Sequence, residues 1–438
     1  GLEMTRTGLP VNREAMLIIG AKAKAVWEHE LREMRKMIGD LPEHIRPQDG
    51  NPAFNPRSPR QLTWALYDPQ GPFKLVATHW TDPQKRKPSA NAEALLAHAG
   101  HPFVQRLLRY RENTKIQGTF IEGMPIDEST GRCHARWDPQ GARTGRWSTS
   151  PNLQNWPKWI RRMVQPEPGW VIVGADYSQV ELRVLAAISG DEALWQRCAN
   201  ADESRKLEPD WDPHSYVAAV SLGEAFTRLS LNDPNHEVRP EDPTFRCMCE
   251  TCTRKHLRDV TKRTVYGLNY GAGAHKVREA IYAGGYEGPP IELRMIQRTI
   301  QAVEEAYPKV ASFRNGYVQA AMAAGFLTDC IYGRYRAFPL KKVPVTEAYN
   351  YPIQSTAASV MDAATIRLHR ALPAVDPEAG IMAQVHDAIY VLCREERAVA
   401  VAQTVERCLN VNLQLRDDVP PMPLPAAAQI ARSWDKAG

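Results

Sequence analysis

The stretch from Val171 to Arg183 constrains this chain more than any other. It reads Val-Ile-Val-Gly-Ala-Asp-Tyr-Ser-Gln-Val-Glu-Leu-Arg, and its opening β-branched run predicts a buried strand. The pattern turns polar at Asp176, so a carboxylate stands at the strand's end, where it can hold a metal at the floor of a cleft. The same residue can instead cap a helix beginning near Ser178. On this stretch alone the cap is the simpler reading. Two other stretches reverse it.

The first runs from Arg258 to Gly271 and places Arg258, Lys262, Tyr266 and Tyr270 at successive four-residue steps. On a helix such residues share a face, drifting by about 40° per step. Two cations and two flat rings on one face suit a triphosphate and a base. Gly267 and Gly271 disfavour a plain helix, and close approach by a base pair accounts for them. The second stretch, Gln384-Val-His386-Asp387-Ala-Ile-Tyr-Val-Leu, reads strand, polar break, strand. It puts Asp387 at a turn between two core strands.

Taken together these stretches resemble the three motifs of the family A DNA polymerases. Asp176 to Arg183 resembles the first motif, Arg258 to Gly271 the second, and His386-Asp387 the third. Thr144-Gly-Arg146 and Pro151-Asn-Leu-Gln-Asn155 resemble the family's template-and-primer segment, and Gln354 fits a further position. The resemblance runs in order from about Met4 to Trp434. It implies an α+β, right-hand fold: palm with an antiparallel sheet, fingers and thumb. The expected division is 1–12 and 131–191 palm, 13–130 thumb, 192–345 fingers, and 346–438 palm.

What the resemblance implies for function is specific. The chain would be a template-directed DNA polymerase using primer–template DNA and dNTPs, without proofreading. Asp176 and Asp387, with the Tyr177 carbonyl, would hold two Mg²⁺, for which Mn²⁺ can substitute. Arg258, Lys262 and His214 would meet the triphosphate, with Lys262 also protonating the leaving group. Tyr266, Tyr270 and Gln179 would line the incoming nucleotide. Glu181 would be the steric gate under the sugar C2′. Tyr266, where phenylalanine is the other family choice, implies tolerance of dideoxynucleotides. Arg146, Asn152, Gln154, Asn155, Gln354, His386 and Gly271 would touch primer and template, and Arg111 and Lys115 the duplex backbone. Two departures stand out. Ala388 occupies a position where the family has glutamate, and Trp147-Ser-Thr-Ser differs in spacing, which puts contacts by Ser148 and Thr149 in doubt.

The bulk numbers are compatible with this. At 438 residues the chain should divide into about three domains. A net charge of +5 permits a nucleic-acid partner without requiring one. Eight cysteines, mostly dispersed, fit a reducing compartment better than a disulfide framework. No apolar run has the length of a membrane span and no signal peptide opens the chain, so a cytoplasmic location is expected. The expected state is a monomer, with a processivity partner as the alternative. The ending at Ser433-Trp434 resembles the family terminus. An insertion at 228–256 carries Cys247, Cys249, Cys252 and His256, the ligand types of a structural Zn²⁺ site, with His236 an alternative; a flexible insertion with free thiols is the competing reading. Residues Lys85-Arg86-Lys87 read equally as a solvated loop or a phosphate contact. A non-catalytic DNA-binding relative, an RNA polymerase relative and a nuclease are the alternatives, disfavoured by the intact Asp176, Asp387, Arg258 and Lys262. The sequence leans toward a phage or divergent bacterial source.

Overall fold

The computed structural model describes residues 1–82, 84, 87–207, 213–222, 235, 237, 249–269, 271–283, 286, 291–339 and 342–437. The chain divides into two compact units, one of Gly1–Ala15, Pro125–Val277 and Ile291–Gly438, the other of Met16–Met124 and Arg278–Pro290. Length alone suggests a further division. In the larger unit the helix Pro308–Ala324 packs on the helices Val180–Ser189 and Val345–Ala371.

The smaller unit is organised on helices α1 (Arg13–Ile38) and α2 (Pro102–Lys115). The helical pattern predicted over 91–115 is interrupted, since Ala92–Leu96 forms a separate short helix and Pro102 restarts the chain at a first helical turn. Met34, Leu41, Phe54, Leu66, Phe103 and Leu107 form its core. Glu30 is buried in that unit and would be costly there unpaired. Arg106 and Arg109 both donate to it, at 2.9 and 2.8 Å.

The larger unit contains a four-stranded antiparallel sheet. Its strands are β1 (Trp170–Tyr177), β2 (Gly380–Val385), β3 (Ala388–Arg394) and β4 (Ala426–Ala431), in the order β2-β3-β1-β4. As the β-branched run predicts, β1 is a central strand, buried from Val171 to Ala175. Its side chains alternate. Tyr177 lies on the face of Val171, Val173 and Ala175, and its hydroxyl donates to Leu409 O at 2.8 Å. Ile172, Gly174 and Asp176 share the other face.

Gly174 decides what happens on that second face. A Cβ there would lie 1.9 Å from the Ala437 carbonyl oxygen and 2.7 Å from Tyr390 Cδ1. The C-terminal turn Trp434–Lys436 therefore seats on the strand, with Trp434 buried and its ring 5.5 Å from that of Tyr390. Two residues further along the same face, Asp176 is exposed. The strand is capped in its middle and open at its end. Gly174→Ala is expected to cost about 2–3 kcal/mol by forcing the C-terminal turn off the sheet. Urea unfolding measures it, and a variant as stable as wild type would contradict this packing.

Three further helices carry expected site residues: α3 (Val180–Ser189), α4 (Glu250–Asn269) and α5 (Val345–Ala371). The helix predicted over 353–371 starts earlier, at Val345, although Pro352 lies inside it. Proline removes one backbone donor and normally ends a helix. Here burial of Tyr351, Ile353, Ala357 and Ala358 on both sides of it outweighs that loss. Among the described residues no helix is long and apolar enough to cross a membrane.

Candidate active site

The register of the sheet brings the two aspartates together. Strand β3 pairs with β1 from Ala388 opposite Asp176 to Arg394 opposite Trp170. Beyond that pairing the Tyr177 N–H donates to the Asp387 carbonyl oxygen at 3.1 Å. Asp387 thus sits in the two-residue turn between β2 and β3, beside the end of β1. His386, its turn partner, adopts φ +54°, the left-handed conformation such tight hairpins select. Opposite Asp176 stand Ala388 on one side and Ala427 on the other. A side chain at 388 would have its Cβ about 4.5–5.5 Å from that of Asp176. The alanine therefore removes the position from which a third carboxylate would lie closest.

Burial raises the pKa of both aspartates. Asp387 goes up to about 6, first through desolvation, opposed by Arg146, with Glu181 and Asp176 adding repulsion. Asp176 reaches solvent, yet the protein around it makes desolvation the largest influence and raises its pKa too. Lys262, Arg161 and the Tyr177 N–H oppose that rise. Arg146 links the site: its Nη2 pairs with Glu181 Oε1 and lies 3.7 Å from Asp387 Oδ1. Two close carboxylates that resist ionisation together are a donor set for a hard divalent cation, whose charge would relieve both. Two protein carboxylates suit Mg²⁺, which keeps waters and leans on substrate phosphates.

Comparison with known proteins identifies the family. The DNA polymerase family A profile matches residues 24–233 and 242–436. The chain belongs to DNA polymerase family A. It is 31% identical over 424 residues to the thermostable DNA polymerase I of Thermus thermophilus, covering 92% of this chain and 44% of that protein. The DNA polymerase I of Chloroflexus aurantiacus is 28% identical over 458 residues, covering 99% of this chain and 42% of that relative. The chain thus spans less than half the length of these relatives. A solved structure of the POL domain of Pol1 from M. smegmatis, in complex with DNA primer-template and dNTP, shares the fold. The TM-score is 0.74 at 24% identity, over 99% of this chain and 69% of that one.

Within this family A chain, the expected site residues fall as follows. Lys262 is exposed on α4, with Arg258 and Tyr266 half-buried on the same helix. Tyr270 lies outside the described residues. His214 is buried, its ring 5.7 Å from that of Tyr266, so it lies in the interior rather than at a surface. Glu181 is buried in the first turn of α3, and Gln179 precedes that helix with φ +54°. Gln154 Nε2 donates to Gln384 O at 3.2 Å, tying the 151–155 segment to the strand that leads into His386. Asn152 and Asn155 are exposed, and the Asn155 N–H donates to Asn152 Oδ1 at 3.2 Å. In the run 351–360 Gln354 is the one residue not buried. Arg111 and Lys115 belong to the smaller unit, where Arg111 Nη1 donates to Ala90 O at 2.9 Å.

Two further findings bear on the expectations. Gly267 and Gly271 have reasons within the chain. A Cβ on Gly267 would meet Val277 Cγ2 at 2.7 Å, and Gly271 has φ +65° with the Tyr349 ring 2.8 Å from where its Cβ would be. The zinc site is not supported. Cys247 lies outside the described residues, and among the described residues no group of three or more His, Cys, Asp or Glu gathers to hold a metal. Cys252 and His256 lie on α4 and Cys249 just before it. His236, the alternative ligand, also lies outside the described residues.

The sequence reading passed over Arg161. Its guanidinium lies 5.0 Å from the centre of the Trp434 ring and its Nε donates to Trp156 O at 3.3 Å. Its charge reaches Asp176 and His386. Nothing local in the sequence flags it, because Trp434 comes from the far end of the chain.

Proposed function

We propose that this chain is a template-directed DNA polymerase, adding dNTPs to a primer 3′-hydroxyl with release of pyrophosphate. The observation that carries the reading is the pair Asp176 and Asp387 on neighbouring strand ends, with the Lys262 charge felt at Asp176. Phosphoryl transfer asks for positioning and charge neutralisation rather than covalent help, and this site offers both. Two Mg²⁺ held by Asp176, Asp387 and the Tyr177 carbonyl would supply the charge that activates the hydroxyl and steadies the phosphates. Arg258 and Lys262 bind the triphosphate, and Lys262 donates a proton to the leaving pyrophosphate. Tyr266 and Tyr270 flank the nucleotide. Arg146, Gln154, Gln354 and His386 hold the primer end, and His214, its ring 5.7 Å from that of Tyr266, assists Arg258 and Lys262 at the phosphates.

The smaller unit acts as thumb, with Arg111 and Lys115 facing the duplex backbone, contacts that position without reading sequence. The chain carries no proofreading activity and works as a monomer in the cytoplasm. The primer–template and dNTP in the M. smegmatis Pol1 complex support the choice of partners. Glu181, buried and paired with Arg146, excludes the ribose 2′-hydroxyl. Primer extension with dNTPs and NTPs tests this. Wild type extends with dNTPs, and Glu181→Ala loses about 10–100-fold of its discrimination against NTPs. Equal use of NTPs by the wild type would overturn the DNA polymerase reading.

A further inference from the structure

Arg146 touches both Glu181 and Asp387, yet it stands on a loop, where a long side chain is hard to aim. The loop is held on both sides of it by one carboxylate. Trp147 Nε1–H donates to Asp362 Oδ1 at 2.8 Å. Arg334 Nη2 donates to Asp362 Oδ2 at 3.1 Å, while its Nη1 reaches the Thr144 carbonyl at 3.4 Å and Ser359 Oγ at 3.3 Å. Gly145, between these anchors, has φ +80°, and a Cβ there would fall 1.9 Å from Arg334 Nη1. The guanidinium thus lies flat against the backbone one residue before Arg146.

Arg334 is itself delivered rigidly. It follows the turn of the hairpin Phe326–Ala337, where the fully buried Asp329 accepts the N–H groups of Ile331, Tyr332 and Gly333 at 2.9, 2.7 and 3.0 Å. The other oxygen of Asp329 accepts the Ser359 hydroxyl at 3.0 Å. Ser359 and Asp362 both lie on α5. The hairpin and helix together form a rigid mount, and the loop of Arg146 is fastened to it.

We propose that Asp362, through Arg334 and Trp147, positions Arg146 against Glu181 and Asp387 for nucleotide incorporation. Asp362 is a positioning residue and touches no substrate. One Asp362 oxygen holds Trp147, just after Arg146, and the other holds Arg334, whose guanidinium in turn reaches Thr144, two residues before Arg146; an ordinary structural ion pair would not need to tie both flanks of that residue. The proposal rests on the polymerase reading above.

Single-turnover incorporation of a dNTP on a primer–template tests it, using Arg146→Ala, Asp362→Leu, Asp362→Asn and the double variant Arg146→Ala/Asp362→Leu. Misaiming a substrate-facing group can cost about 10²-fold, so Asp362→Leu is expected to lose about 10²-fold in maximal rate. In the Arg146→Ala background the same change should cost less than about 3-fold, because the residue it aims is gone. Asp362→Asn keeps an acceptor for Trp147 and should recover part of the rate. Gly145→Ala reaches the clamp from the other side and serves if Asp362→Leu unfolds. Full additivity in the double variant overturns the clamp, as does a folded Asp362→Leu with wild-type rate while Arg146→Ala is impaired. An Arg146→Ala variant with wild-type rate would instead overturn the role of Arg146 in the reading itself, and the clamp with it.

Discussion

Asp387→Asn should yield a protein that is more stable than wild type above pH 6 and extends primers at least about 10³-fold more slowly. The loss follows from the proposed chemistry. A carboxylate that holds the catalytic metal contributes several kcal/mol of charge stabilisation, and about 4 kcal/mol is a factor of about 10³ in rate. The gain in stability follows from the geometry. Desolvation, Glu181 and Asp176 raise Asp387 to about 6 in the folded chain. An unfolded aspartate titrates near 3.9. A raised folded pKa means that the protonated group is the comfortable one, so its contribution is fully present below about pH 4 and is lost as pH rises through about 6. The gap corresponds to at most about 3 kcal/mol. The side chain is 27% exposed, and screening brings the expected gain to about 1–2 kcal/mol. Urea unfolding of both proteins between pH 4 and 8 measures it. The two curves should coincide at pH 4 and diverge through pH 6. Equal stability at pH 8 would mean that Asp387 is not strained in the folded chain.

Lys262→Ala should slow incorporation by about 10²–10⁴-fold with stability unchanged. Lys262 is exposed on α4 and is the largest of the influences that hold Asp176 ionised. Exposed substitutions away from packing seldom move stability by more than about 0.5 kcal/mol. A proton donor in the transition state is worth about 10²–10⁴-fold. Lys262→Arg separates its two roles. It keeps the charge for the triphosphate but is a poor proton donor, so the dNTP KM should recover while the maximal rate does not. Recovery of both would assign Lys262 to binding alone.

Much of the site was legible in the sequence because each element carries its own local signal. The run Val171–Val173 predicts a buried strand that turns polar at Asp176, and β1 is buried to Ala175 and exposed at Asp176. Arg258, Lys262 and Tyr266 share a helix because their spacing is helical. What stayed hidden depends on contacts between distant parts of the chain. Trp434 covers β1 and holds Arg161, and Arg334 and Asp362 meet across the hairpin and α5. Pro352 concealed the first two turns of α5, since tertiary burial there overrides its local preference. The zinc expectation is not supported, since ligand types alone carry no geometry and among the described residues no metal-holding cluster forms. Gly267 on α4 and Gly271 just beyond it point toward a ligand in the sequence, and in the fold Val277 and Tyr349 also need their space.

The most direct measurement of the central claim is rapid-quench incorporation of one dNTP on a labelled primer–template with Mg²⁺, comparing wild type with Asp176→Asn. The account predicts extension by wild type that stops when Mg²⁺ is chelated, and at least about 10³-fold slower extension by the variant with duplex binding intact. Extension by Asp176→Asn at the wild-type rate, or none by a wild type that binds the duplex, would contradict it.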